Sequence, residues 1–277
     1  MSRIHFEWEV EADIIDQPDG EDPQGRRNRQ RDLRRALLLI ALLAVAFILG
    51  GLALHLRIVQ ARNEIAQQLT DTIKVEAAAL RIGDRSAFLQ IQSGDDAWLA
   101  AQSTLFERYQ TLKAENAIEL SGDILSLAIA GERARALVRE DRHGLPYARL
   151  SFYARADRVW RHIPPDFTFW GDPQRYEAER VVVQYREADA PFAEQMGADL
   201  AKWVAEQCAA TACDADAKLH IEVAPEAEKS LTWVDASAGI LALRSPYLGI
   251  VRADKPFDSE RATPLYQLLS ERWSFDS

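Results

Sequence analysis

The chain has 277 residues, of which 48% are hydrophobic and 27% charged, and its 33 Lys and Arg against 43 Asp and Glu give a net charge of −10. This acidic balance argues against a general nucleic-acid binder, which usually carries a basic domain, so we expect no nucleic-acid partner. The two Cys are too few for a disulfide scaffold or a Cys-rich metal site. The length fits about two domains of ~150 residues each.

Residues 1–35 are predicted to form a tail made of two halves. The first half, residues 1–22, holds eight acidic residues, and the second, residues 23–35, holds six Arg. Apolar residues alternate with polar ones in the acidic half, namely Ile4, Phe6, Trp8 and Val10. Two interpretations are open: a disordered acidic tail, or a short strand that adds to the sheet edge of a basic protein partner.

Residues 36–56 form an apolar run of 21 residues without Asp, Glu, Lys or Arg. About 20 helical residues cross a bilayer core of ~30 Å, so the run predicts a transmembrane helix. A cleaved signal peptide has an apolar core of only ~7–15 residues and a small-residue cleavage site, which favours an uncleaved signal-anchor here. Because an Arg-rich flank stays in the cytoplasm, we expect a single-pass bacterial cell-membrane protein with residues 1–35 cytosolic and residues 57–277 extracytoplasmic.

Residues 57–172 change from helical to strand periodicity. A stalk, Arg57 to Arg81, continues the membrane helix, and caps at Asp84 or Ser86 and at Asp95 or Asp96 begin two more helices. From Ile118 onward apolar residues recur at every second position, and Asp141 to Gly144 predicts a hairpin turn. Helices followed by an antiparallel sheet predict an α+β fold in which a curved sheet is cupped by the helices.

This order of elements resembles the nuclear transport factor 2-like (SnoaL-like) fold. The segments that carry the resemblance are RIGDRSAFLQIQ, DDAWLAAQSTLFERY, GERARALVRE, PYARLSFYARAD and RVWRHIPPDFTFWG. The resemblance implies a conical cavity in an extracytoplasmic domain spanning residues 57–172. In some members of that family an Asp/His pair in the cavity is catalytic, whereas many others are binding or assembly modules.

Residues 173–277 are predicted to form a small α/β module. The stretch from VVVQYREADAPFAEQ to KLHIEVAPE resembles the opening of peptidase MA-like (gluzincin-related) domains of bacterial membrane proteins. Those domains have a downstream H-E-x-x-H helix, but the corresponding helix here, TPLYQLLSERW, contains no His. The resemblance therefore implies a degenerate, non-catalytic module, and we expect neither a metal site nor a cofactor.

His162 is the one candidate for acid–base chemistry. No two of the five His have the i,i+4 spacing of a zinc helix. His162 lies near Asp157 and Asp166 in the sequence, and a His paired with a carboxylate is able to act as a general base. A structural His whose hydrogen bonds are satisfied is the competing interpretation and the one that we favour, because a lone His without a fixed partner is weak evidence for catalysis.

Aromatic and basic residues offer further candidates. Four aromatic residues are candidates for the walls of a ligand pocket or for packing at the junction with the second module: Trp160, Phe167, Phe169 and Trp170. Five Arg suggest either a basic face for an anionic partner or an ordinary solvated sheet face: Arg133, Arg135, Arg139, Arg149 and Arg155.

Cys208 and Cys213 lie in the part predicted to be extracytoplasmic, where disulfides form. Five residues apart in a continuous helix, their Cα atoms would be about 8 Å apart, beyond the ~7 Å limit for a disulfide. If the helix ends before Cys213, the sulfur atoms are able to meet. We therefore predict a disulfide, with two free thiols as the alternative.

These patterns predict a non-catalytic module on a membrane anchor that binds, senses or assembles with other proteins. The topology resembles that of inner-membrane assembly factors of type IV secretion. Protein partners on either side of the membrane are expected, and the tail offers a route for signalling. The alternative is a SnoaL-like pocket enzyme of the isomerase, cyclase or hydrolase type that uses His162 with a nearby acid.

Overall fold

A computed structural model describes residues 23–210 and 218–272 of the chain. The helices are α1 (Pro23–Ile82), α2 (Arg85–Ile91), α3 (Asp96–Ala114), α4 (Ala190–Ala210) and α5 (Ser259–Arg272). Six strands precede the last two helices: β1 (Ile118–Glu119), β2 (Ile124–Ala130), β3 (Arg133–Arg142), β4 (Leu145–Ala156), β5 (Val159–Ile163) and β6 (Pro173–Ala178). The other strands are β7 (Val181–Arg186), β8 (Leu219–Ala224), β9 (Leu231–Asp235), β10 (Ile240–Arg244) and β11 (Ile250–Arg252). The α+β class predicted from the sequence is confirmed.

The chain divides into two units, residues 1–62 and residues 63–277. In the first unit the described part is helical, and its large apolar side chains between Leu37 and Leu56 are exposed. Within the described residues, one helix is long and apolar enough to cross a membrane. The proposed strand at Ile4 to Val10 lies outside the described residues.

Local capping fixes where α2 and α3 begin. The carboxylate of Asp84 accepts a hydrogen bond from the backbone N–H of Ala87 at 2.9 Å, and that of Asp95 accepts one from Trp98 at 2.8 Å. Each cap satisfies a backbone donor that a helix start leaves without an intrahelical acceptor. Of the capping residues that the sequence left open, Asp84 and Asp95 are the ones used.

The first sheet is antiparallel and has the strand order β1-β3-β4-β11, with β2 also paired to β3 and β5 also paired to β4. The turn between β3 and β4 needs two residues at positive φ, and His143 (50°) and Gly144 (75°) provide them. This local conformation is the one that two-residue hairpins favour, so the predicted turn is confirmed.

The two faces of this sheet pack against different partners. On the cup face, Tyr153 and Trp160 pack with Leu69 and Ile73 of α1. On the outer face, Phe152 belongs to a large core that also contains residues of α4, α5 and the second sheet. Because both faces are covered, alternate residues of β4 are buried in two different environments.

The second sheet has the strand order β6-β7-β8-β10-β9, in which β7, β8 and β10 are parallel and α4 connects β7 to β8. It begins at Pro173, next to the predicted module boundary. After β10 the chain returns to the first sheet, where Ile250 pairs with Arg149. The segments 57–172 and 173–277 therefore share a sheet and a core.

Candidate functional site

The candidate site lies at a break in the strand pairing along one edge of β4. On this edge β5 pairs with Phe152 to Ala156, and β11 pairs with Tyr147 to Arg149. Leu150 and Ser151 lie between these two ladders. A cavity of about 280 Å³, called here the main cavity, lies at this break. Its position depends on the C-terminal segment returning to the first sheet.

The wall of the main cavity comes from α3, from β3, β4 and β5, and from the segment that leads into β11. Its residues are Trp98, Gln102, Leu105, Arg108, Arg142, Arg149, Leu150, Phe152, His162, Ile163, Pro165, Leu248, Gly249 and Ile250. Two polar atoms of this wall, Oε1 of Gln102 and Nε1 of Trp98, are buried without a hydrogen-bond partner among the described residues. Buried polar atoms are normally paired, so these two are exceptions among the residues beside the main cavity.

His162 is buried on the cup face and is paired with Glu76 of α1. Its Nδ1 lies 2.7 Å from Oε1 of Glu76, and the two residues are 6% and 8% exposed. Glu76 also accepts hydrogen bonds from Nε2 of Gln92 at 3.1 Å and from the hydroxyl of Tyr153 at 3.0 Å. Donors around a carboxylate stabilise its negative charge, so Glu76 acts as an anchor for the His162 ring.

In the neutral form of His162, the hydrogen bond to Glu76 places the proton on Nδ1. Its Nε2 then carries a lone pair and has no hydrogen-bond partner in the described part of the chain. His162 lines the main cavity, so its ring lies beside a molecule that binds there. A carboxylate that orients a His in this way is the arrangement that general-base catalysis uses.

A smaller chamber of about 50 Å³ lies behind the main cavity, between the sheet and α1, and Arg149 and His162 line both. Glu76, Tyr153 and Glu140 also line it. Burial, together with the charge of Glu76 and the hydrogen bond to it, holds the pKa of Tyr153 well above its ordinary value. The chamber has polar side chains in a mostly apolar lining, and its volume exceeds the ~10–15 Å³ that a single water needs.

Glu140 holds two Arg of the main cavity in place. It contacts the guanidinium of Arg142 at 2.6 Å and lies 3.6 Å from that of Arg149. Tyr109 donates a hydrogen bond to Glu140 and accepts one from Arg149, and both Arg lie over its ring. Burial is the main reason that the pKa of Tyr109 lies above its ordinary range, so its hydroxyl stays protonated.

The four predicted aromatic residues lie elsewhere, and none is among the residues that line the two cavities. Trp160 is buried in the core under the helices. Trp170 is fully buried, stacks on Phe152 at 5.2 Å, and donates its N–H to Asp189 at 2.8 Å. Phe167 is 39% exposed beside Trp170, and Phe169 lies under two Arg side chains.

The five Arg do not share one face, because pairing places Arg133, Arg135 and Arg139 opposite the outer-face residues of β4. Arg133 binds Asp166 at 3.1 Å, Arg135 binds Glu187 at 2.6 Å and Arg139 binds Asp141 at 3.0 Å. Of the five, Arg149 is the one that lines the main cavity. The five Arg therefore do not form a single basic face on this sheet.

Two further expectations concern Cys and metal. Cys208 is half-buried near the end of α4, and Cys213 lies outside the described residues, so the disulfide stays a prediction. Among residues 23–210 and 218–272, no group of three or more His, Cys, Asp or Glu is placed to hold a metal ion.

Sequence reasoning missed Glu76, although the sequence held a signal for it. The buried stripe of α1 runs through Leu69, Ile73 and Leu80, and Glu76 occupies the position between them at helical spacing. A charged residue on an apolar stripe needs a buried partner. Gln102 and Arg108 gave no such signal, because polar residues on a surface helix are ordinary.

Comparison with protein-family models, with curated proteins and with solved structures gives no match for this chain. The resemblances to the nuclear transport factor 2-like and peptidase MA-like families therefore rest on sequence pattern.

Proposed function

We propose that this chain is a membrane-anchored, extracytoplasmic binding protein that takes a small molecule into the main cavity. The observation that carries the proposal is the main cavity itself, about 280 Å³ in volume, whose mostly apolar wall includes the polar side chains of Gln102, Arg108, Arg142 and Arg149. Its size is near the lower end of ligand sites, which are concave and mostly apolar with a few polar groups. Binding there would serve sensing or assembly on the membrane.

The proposed location rests on the N-terminal part of the chain. The apolar helical run at residues 36–56 is long enough to span a bilayer, and six Arg precede it. With residues 1–35 in the cytoplasm, the tail is in a position to contact a cytosolic partner. The folded part would then meet its ligand outside the cytoplasm.

A fragment screen on the full chain in an uncharged detergent tests the binding proposal. Saturation-transfer NMR would detect compounds that bind, and Leu105→Trp would fill the main cavity from α3. Leu99→Trp is the matched control, because Leu99 lies on the same helix but is 36% exposed and is not part of the cavity wall. We expect compounds that bind the wild-type chain and L99W but not L105W. Binding that L105W leaves unchanged would contradict the proposal.

A second candidate, an acid–base enzyme, is favoured by the 2.7 Å contact between Nδ1 of His162 and Glu76. Such an enzyme needs a neutral His whose Nε2 lone pair faces the substrate. Nitrogen-15 NMR of the imidazole rings, with His162→Gln to assign the signal, reports the tautomer directly. A proton on Nδ1 at neutral pH is expected, and a proton on Nε2 alone would exclude His162 as the base.

A further inference from the structure

The charged residues in the wall of the main cavity are positive, whereas the protein as a whole carries a negative net charge. The chain carries a net charge of −10, yet the described wall residues include three Arg and neither Asp nor Glu. Glu140 lies behind Arg142 and Arg149, on the side of the smaller chamber. The carboxylate of Glu76, paired with His162, also attracts Arg149 electrostatically. Three Arg against these two Glu leave one positive charge uncompensated around the main cavity. A positive cleft with low-dielectric walls concentrates anions.

The three Arg differ in how they are held. Arg142 and Arg149 are fixed by Glu140 and Tyr109, so their guanidinium groups lose little freedom when they bind a ligand. Arg108 on α3 is exposed and has no hydrogen bond or ion pair with the described residues. The wall thus offers two preorganised cations and one adaptable cation, a combination that suits carboxylate or phosphate oxygens.

The uncharged residues of the wall and the volume of the cavity indicate the polarity and size of the rest of the ligand. Apolar side chains cover the part at the strand break, namely Leu150, Phe152, Ile163, Leu248 and Ile250. Two further polar side chains, Gln102 and His162, belong to the same wall. The volume equals that of about nine water molecules at ~30 Å³ each, so the ligand has roughly ten non-hydrogen atoms.

We infer that the main cavity binds a small organic oxyanion, with its charged group at Arg108, Arg142 and Arg149 and its apolar body against the strand break. A hydroxyl or amino group on that body forms a hydrogen bond with the side chain of Gln102 or His162. This inference rests on the proposed function, since it assigns a ligand class to the same cavity. The charged group is a carboxylate or a phosphate, because Arg pairs with the oxygens of both.

Titration calorimetry with matched small aromatic probes tests this assignment on the full chain in an uncharged detergent. 4-Hydroxybenzoate and 4-hydroxybenzamide have the same size and shape but differ in charge, and phenyl phosphate tests the other oxyanion. We expect at least one of the two acids to bind about tenfold or more tightly than the amide, the effect of one charge-assisted hydrogen bond. The acid that binds more tightly identifies the charged group.

Arg108→Gln is the informative variant, because Arg108 is exposed and its replacement leaves the packing of the core unchanged. It should weaken the preferred acid about threefold or more and leave the amide unchanged. Arg158→Gln, at an exposed turn outside the cavity wall, makes the same charge change and should alter neither. Equal weakening by both variants would attribute the effect to overall charge and would overturn the inference.

The remaining outcomes separate this inference from the proposed function. If the amide binds as tightly as the acids and L105W abolishes the binding of the amide and of the acids, the cavity is a binding site without a preference for anions. The inference then fails, and the binding proposal stands. If no probe and no screened fragment binds, the inference and the binding proposal fail together.

Discussion

Asp189 should make the folded state less stable as the pH rises. It is fully buried between the two sheets, where Nε1 of Trp170 donates to it at 2.8 Å and the hydroxyl of Ser245 donates to its other oxygen. Burial raises its pKa from 3.8 to about 6, and these two hydrogen bonds only partly oppose the shift. The folded chain therefore holds this proton more tightly than the unfolded chain.

The sign of the effect follows from proton linkage. An acid with a higher pKa in the folded state gives greatest stability below its unfolded pKa of 3.8, and that stability decreases until the pH passes about 6. At about 1.4 kcal/mol per unit of pKa, the full loss is about 3 kcal/mol, of which about 2 kcal/mol falls between pH 4.5 and 7.5.

Asp189→Asn removes the titration and keeps the geometry, because the amide accepts from Trp170 and donates to Ser245. Urea unfolding of the full chain in an uncharged detergent, followed by tryptophan fluorescence, gives the free energy of unfolding at each pH. The difference between D189N and the wild-type chain should rise by about 2 kcal/mol from pH 4.5 to 7.5.

Asp235→Asn is the control for this measurement. Hydrogen bonds from Ser237 and from backbone N–H groups hold the pKa of Asp235 below its ordinary value, and it is exposed. Its contribution is lost as the pH falls, so D235N should show a small trend of the opposite sign. A D189N difference that stays constant or falls with pH would refute the reasoning about Asp189.

Four further outcomes are expected. A reporter fused to the C-terminus should be active only outside the cytoplasm, and activity restricted to the cytoplasm would reverse the proposed orientation. Thiol labelling of the unfolded, unreduced chain should find no free thiol at Cys208 or Cys213, whereas two labelled Cys would show that no disulfide forms. Metal analysis should find no stoichiometric zinc, and one tightly held zinc would contradict the degenerate-peptidase interpretation. Gly94→Ala should weaken the binding of small molecules in the main cavity, because a Cβ there would lie 2.6 Å from the ring of Trp98; unchanged calorimetric affinity would mean that this ring does not shape the site.

The elements that the sequence predicts correctly are those that local forces define. Asp84 and Asp95 cap helices through bonds to residues three positions away, and His143-Gly144 forms a turn through its own backbone preferences. The long apolar helix follows from composition alone. Each of these features depends on neighbours in the chain, so a single sequence is enough to predict it.

Only the tertiary structure brings the candidate site together. Glu76 and His162 are 86 residues apart in the chain, and the strand that completes the main cavity comes after the whole second sheet. The sequence left open which face of its strand His162 occupies, because a strand alternates between two faces and both are covered in this fold. The register of β4 with β5 and β11 decides this, and register depends on packing between distant segments that no local pattern records.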